Sequence, residues 1–298
     1  MKDAEFSERE YEGFLYNQLQ AGDRRLWHPH EVLEHYLGFD RGLFVADLYL
    51  WRMKGRRSAA GGFAPWQFYG LWPELVSHRI PRSRLPKFHL NCFIQAKRPQ
   101  FARRVPQAAR GLSWKRPIFR FEIDQAQHDT LDRVARAMAR RALFVYAAPA
   151  FHTSSELFAV GRRGTTVENS TFPAVQDITG HTRWYYNEPG TVGVRNPDDE
   201  PIELPSLQAR LGELVELRDD SESASAGLQE LASALRASVL EETQAGEART
   251  AYLADEWRSI DVYSDRVEAP AAVRHFLAVD AFCDYFNLAW LTVGRGTV

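Results

Sequence analysis

Apolar and polar residues alternate along Phe88–Ile94 and run into the polar cluster Gln95-Ala96-Lys97, just before Arg98 and Pro99. The period of two predicts a strand with Leu90, Cys92 and Ile94 on one face. His89, Asn91, Phe93, Gln95 and Lys97 take the other. Gln95 and Lys97 thus stand side by side at the end of a strand that is otherwise core. An amide and an ammonium placed together there point to something ionic in front of them.

Other elements follow from the same reading. Ser7 to Leu19 has the spacing of a helix, with Phe6 as staple, a Ser7–Glu10 capping box and an apolar stripe of Tyr11, Phe14, Leu15 and Leu19. Glu12 falls near the edge of that stripe. His30–Leu37 reads as a short helix between Pro29 and Gly38. Beyond it Phe39, Leu43, Val45, Leu48, Leu50 and Trp51 form a dense strand headed by Asp40. Lys54–Gly62 is a basic loop, and Pro65–Val76 is an aromatic segment whose Trp66, Phe68, Tyr69 and Trp72 are expected in the core. Ile118–Ile123 reads as a strand, Gln125–Arg141 as an amphipathic helix, and Ala142–Ala148 as a buried strand stopped by Pro149. Residues 151–205 read as short strands and turns. Residues 206–291 read as helices over Leu207–Arg218, Ser223–Glu242, Glu247–Ile260 and Ala271–Leu291. The fold class is α/β.

Composition narrows the class. A chain of 298 residues with 45% hydrophobic residues and eight tryptophans buries a sizeable core. No apolar run reaches the ~18 residues of a membrane span, and the acidic start MKDAEFSERE is unlike a signal peptide. Cys92 and Cys283 make neither a disulfide framework nor a zinc cluster; both are expected as buried thiols in a reducing cytoplasm. Charge is asymmetric: residues 1–197 carry 29 Lys and Arg against 19 Asp and Glu, while residues 198–298 carry 8 against 20. The first part suits a polyanion, and the acidic helical C-terminus suits a protein partner.

Hydrolysis of a phosphodiester needs a hard divalent cation on one or two carboxylates, and a positive group that orients the attacking water. Magnesium takes few protein ligands, so Asp40, the side-chain oxygen of Gln95 and the Ala96 backbone carbonyl suffice to hold it. Lys97 is the group beside the water, and Glu12 is an auxiliary acid on the first helix, with Glu10 and Glu34 competing for that place. Lys54, Arg56, Arg57, Arg79, Arg82, Arg84, Lys87, Arg98, Arg103 and Arg104 bracket this region. Arg56, Arg57, Lys87 and Arg98 are the expected phosphate contacts, giving salt-sensitive affinity with little sequence preference.

The order Glu12, Asp40, then Gln95-x-Lys97, on a helix, three strands, a helix and a strand, resembles the PD-(D/E)XK superfamily of restriction-endonuclease-like nucleases. It is similar to the QxK variety, in which glutamine replaces the acid before x-Lys, found among modified-DNA restriction enzymes and phage-defence nucleases. The likeness covers about half the chain. It implies a nuclease core over residues 1–150 with an insertion near 55–87, a β-rich extension over 151–205 and a helical region over 206–298. It also implies magnesium or manganese as cofactor, DNA ahead of RNA as substrate, and a role in defence against foreign DNA. A homodimer would serve double-strand cleavage. Gly38-Phe39 stands where the family carries a proline or Gly-Val before the aspartate, and the gap from Asp40 to Gln95 is long.

Other chemistries find less support. His28 and His30 lack a third ligand at a fixed spacing. His152 and His181 read as hydrogen-bonding loop histidines. No Gly-x-Ser-x-Gly elbow and no phosphate-binding Gly-x-x-x-x-Gly-Lys-Ser/Thr loop occurs. The rival class is a non-catalytic module on a nuclease-like fold that binds DNA or docks a partner.

Overall fold

The computed structural model describes residues 1–22, 26–27, 88–102, 114, 117–138, 141–196, 201–216, 224–244, 248–266 and 271–294. The expected His30–Leu37 helix with Glu34, the strand headed by Asp40, and the basic stretch with Arg56, Arg57 and Lys87 lie outside them. The described residues form a mixed α/β structure of two compact units. The first comprises 1–26, 89–220 and the stretch from Phe286 on; the second is described over 224–285.

The first unit holds two sheets. One runs β1 (Lys2–Asp3), β4 (Gln100–Ala102), β5 (Ile118–Glu122), β8 (Arg183–Tyr186), β9 (Val192–Asn196) and β10 (Pro201–Glu203), in that order, and every neighbouring pair is antiparallel. The other has the order β2-β11-β3-β6-β7, from β2 (Leu26–Trp27), β11 (Ala289–Gly294), β3 (Phe88–Ala96), β6 (Ala142–Pro149) and β7 (Ser170–Thr171). Strands β3 and β6 are parallel. Such a pair needs a long crossover, and the helix α2 (Gln125–Met138) closes it.

Helix α1 (Glu8–Gly22) starts on the expected box: Ser7 Oγ accepts the Glu10 N–H at 3.3 Å, and Glu10 Oε2 accepts the Ser7 N–H at 2.7 Å. That bond holds the Glu10 carboxyl below its usual range, so this acid serves the helix start. Tyr11, Leu15 and Leu19 bury against Cys92, Ile94, Ala96, Leu143, Val145 and Ala147. Both thiols are free and buried, as expected.

Two readings are corrected. Residues 151–205 contain a helix, α3 (Ser154–Arg163), whose Thr153 and Glu156 form a reciprocal capping box. The last helix stops at Phe286, and Ala289–Gly294 is a strand of the core sheet. The physical reason is Asn287, at φ 50°; a left-handed asparagine ends a helix. Helix α4 (Leu207–Glu216) completes the first unit.

The second unit contains α5 (Ala224–Gln244), α6 (Ala248–Arg266) and α7 (Ala271–Phe286). Leu231, Leu235, Leu253, Trp257, Phe276 and Phe282 are buried. Trp257 Nε1 donates to the Ala278 carbonyl at 2.8 Å, and Arg236 pairs bidentately with Asp261 at 2.7 and 2.8 Å. Among the described residues no helix is long and apolar enough to cross a membrane.

Asp280 of α7 is buried among these helices. Burial first, then the charges of Asp284 and Glu256, push its carboxyl up to about 8. In an unfolded chain the same group ionises near ~3.9. Between those limits the folded state keeps a proton that the unfolded state has lost. The associated stability is therefore complete at the acid end and disappears as pH climbs through about 8. Asp280→Asn keeps the shape without the ionisation. It is expected to raise the melting temperature near neutral pH by about 5 °C and to flatten its decline from acid to mildly alkaline pH, as read by circular dichroism.

Candidate functional site

Strand β3 presents two different faces. Cys92, Ile94 and Ala96 join the apolar core under α1, as the alternation predicts. On the other face Phe93 stacks on Phe144 at 4.4 Å and on Trp290 at 6.1 Å between ring centroids. The parallel register sets Gln95 opposite Tyr146 and Ala96 opposite Ala147. One residue on, the Lys97 N–H donates to the Ala147 carbonyl at 2.8 Å. The chain then leaves this sheet and enters β4 of the other. Lys97 stands at that exit.

Gln95 is buried at 5% exposure. Its Nε2 donates to the Phe286 carbonyl at 3.0 Å, whereas its Oε1 is buried without a hydrogen-bond partner among the described residues. The Lys97 ammonium lies 5.4 Å from the centre of the Tyr146 ring, and no ion pair holds it among the described residues. Burial pulls its pKa below the usual lysine range, while the charges of Glu8 and Asp124 push back. Behind the ring, the Tyr146 hydroxyl and His128 Nδ1 share a hydrogen bond of 3.0 Å in the interior. Burial keeps His128 below the usual histidine range, against the pull of Asp132 and Asp129. It raises the Tyr146 phenol. Both are therefore neutral near pH 7, and they form an uncharged wall beside the ammonium.

Glu12 approaches from α1. Its Oε1 accepts a hydrogen bond from Asn287 Nδ2 at 3.0 Å. Burial raises its carboxyl above the usual range, and the Asn287 bond partly offsets the rise. The carbonyl that receives Gln95 belongs to the preceding residue, Phe286, and also accepts Gln127 Nε2 at 2.7 Å. Two consecutive residues thus link Glu12 to Gln95, although α1 packs on the far face of the sheet.

Arg98, an expected phosphate contact, is exposed and also hydrogen-bonded within the chain. Its backbone N–H donates to Glu8 Oε1 at 3.0 Å, and its guanidinium donates to the Ala4 carbonyl, Nε at 3.1 Å and Nη2 closer still. His152 packs on Phe101 with ring centroids 3.9 Å apart, and His181 Nδ1 lies 3.2 Å from the Asn196 carbonyl. Both are bonded or packed loop residues, outside the site.

The expected ligands of a hard cation are Asp40, the side-chain oxygen of Gln95 and the Ala96 carbonyl. Gln95 offers a buried oxygen with no donor, and Ala96, whose carbonyl is the expected companion ligand, is buried beside it at the end of β3. Among the described residues no three acidic, histidine or cysteine side chains group to hold a metal; Asp40, the expected carboxylate, is outside them. Tyr146, His128, Gln127 and Asn287 were not singled out in the sequence. Asn287 carries a signal there, as an asparagine interrupting an apolar run. No protein-family model, curated protein or solved structure matches this chain.

Tyr146→Phe removes the hydroxyl and leaves the ring under Lys97. His128 Nε2 already lacks a partner among the described residues, so this variant strips the imidazole of its remaining protein hydrogen bond. A loss of about 1–3 kcal/mol is expected, measured by urea unfolding at neutral pH.

Proposed function

We propose that this chain is a metal-dependent nuclease that hydrolyses the phosphodiester bonds of nucleic acid, DNA ahead of RNA. What carries the reading is Gln95 and Lys97 together at the end of β3. One has an oxygen without a donor, and the other an ammonium without an ion pair among the described residues. The order of helix α1, strand β3, helix α2 and strand β6 fits part of a restriction-endonuclease-like core, whereas β5, the strand expected between β3 and α2, belongs to the other sheet.

In this reading Asp40, Gln95 and the Ala96 carbonyl hold magnesium or manganese, which supplies positive charge against the phosphate when bound. Lys97 positions the attacking water and offsets charge gathering on the phosphorus oxygens. Its depressed pKa brings it nearer to accepting a proton at neutral pH. Tyr146 and His128 give the ammonium an uncharged wall on one side, while the charges of Glu8 and Asp124 also act on it. Glu12 acts as the auxiliary acid. The excess of Lys and Arg over residues 1–197 supplies the attraction for a polyanion. Defence against foreign DNA in the cytoplasm, as a homodimer for double-strand cuts, is the setting that the resemblance implies.

The test is cleavage of linear double-stranded DNA, single-stranded DNA and RNA with and without magnesium. The parent is expected to cut DNA only with the ion. Lys97→Ala is expected to lower the rate by about 10²-fold or more with its circular-dichroism spectrum unchanged. A folded Lys97→Ala protein that cuts as fast as the parent, or a parent that cuts none of the three, overturns the proposal.

A further inference from the structure

The residues that orient the site come from the turn that ends α7. The last carbonyl of a helix has no partner inside the helix and carries the negative end of its dipole. At Phe286 that carbonyl accepts two side-chain amides, Gln95 Nε2 at 3.0 Å and Gln127 Nε2 at 2.7 Å. Asn287 follows at φ 50°, a conformation that asparagine tolerates, and its own amide donates to Glu12 Oε1 at 3.0 Å.

We propose that the turn Phe286–Asn287 is the positioning element of the site: its carbonyl decides which end of the Gln95 amide is offered to a cation, and its side-chain amide holds Glu12. A carbonyl accepts only a donor, so Nε2 must face it and Oε1 must face away. That outward oxygen is the buried atom with no partner among the described residues. The same contact explains why an amide occupies a place where a carboxylate would bind a cation more strongly. A glutamate at this position would set an unprotonated oxygen against the Phe286 carbonyl, two acceptors with no proton between them. Asn287 acts differently, by holding one carboxylate oxygen of Glu12 and so fixing the direction of the other. The orientation of Gln95 stands on the hydrogen bond alone; its use in holding an ion rests on the nuclease reading.

The test uses the full chain and magnesium or manganese alone. Asn287→Gly keeps a backbone that favours positive φ and deletes only the side-chain donor. It is expected to melt close to the parent, yet to raise the titration of the Glu12 carboxyl as read by nuclear magnetic resonance, because the bond that offsets its burial is gone. Gln95→Glu is expected to bind magnesium more weakly than the parent despite its added negative charge. An unchanged Glu12 titration in Asn287→Gly, or tighter magnesium binding in Gln95→Glu, overturns the proposal.

Nuclear magnetic resonance supplies the reading that needs no ion. The Gln95 side-chain amide protons are expected to exchange slowly with water, and free exchange overturns the orientation. A parent that takes up neither ion overturns the nuclease reading and the ion-holding role with it, while slow exchange would still support the orienting carbonyl.

Discussion

Two strands that run the same way cannot be joined by a tight turn, so the parallel pair β3–β6 obliges the chain to leave the sheet between them. It leaves at Lys97, builds β4 and β5 in the antiparallel sheet, and returns through α2. Each feature of the candidate site follows from that detour. Lys97 is at the exit because the excursion begins there. His128 reaches Tyr146 because α2 must lie across the sheet to complete the crossover. Strands of this kind are covered on both faces, and all eight residues of β6 are buried. A polar side chain on the inner face must then find a partner in the interior. Tyr146 finds His128, and Gln95 finds the end of α7.

The local parts of this arrangement were readable from the amino acids. The two faces of β3, the box at Ser7 and Glu10, and the buried strand before Pro149 each depend on spacing within a few residues. The partners of the site do not. Tyr146 sits in a run that reads simply as core, and only the long-range register sets it opposite Gln95. Asn287 lies 275 residues from Glu12, and its role is a matter of tertiary folding. The misread stretches have local causes. Thr153 and Glu156 open a helix within a region dense in turn-forming residues. The apolar run through Trp290 and Leu291 carries a helical pattern past the asparagine that ends it. Asp40, on which the metal reading leans, belongs to residues outside the described ones, and its expected place stays a matter of motif order.

Both units contain buried polar atoms without a hydrogen-bond partner among the described residues. In the helical unit Arg236 has both oxygens of Asp261 and packs over Trp257 at 5.7 Å, and the indole N–H has the Ala278 carbonyl. Arg236 Nε, Ser264 Oγ and Arg274 Nε are nevertheless buried without a hydrogen-bond partner among the described residues. In the first unit Gln95 Oε1 and His128 Nε2 are buried without partners among the described residues. An unsatisfied buried group costs about 1–3 kcal/mol. Folded proteins carry few such groups, and a binding site is one of the places where they occur.

Strand β11 lies between β2 and β3, and the residues just before it supply the acceptor for Gln95 and the donor for Glu12. A chain still on the ribosome, even with α1, β3 and α2 already made, would have a gap in its central sheet and nothing to orient those two side chains. Assembly of the site therefore waits on residues from 286 onward, and a polypeptide stopped before them would lack the finished arrangement.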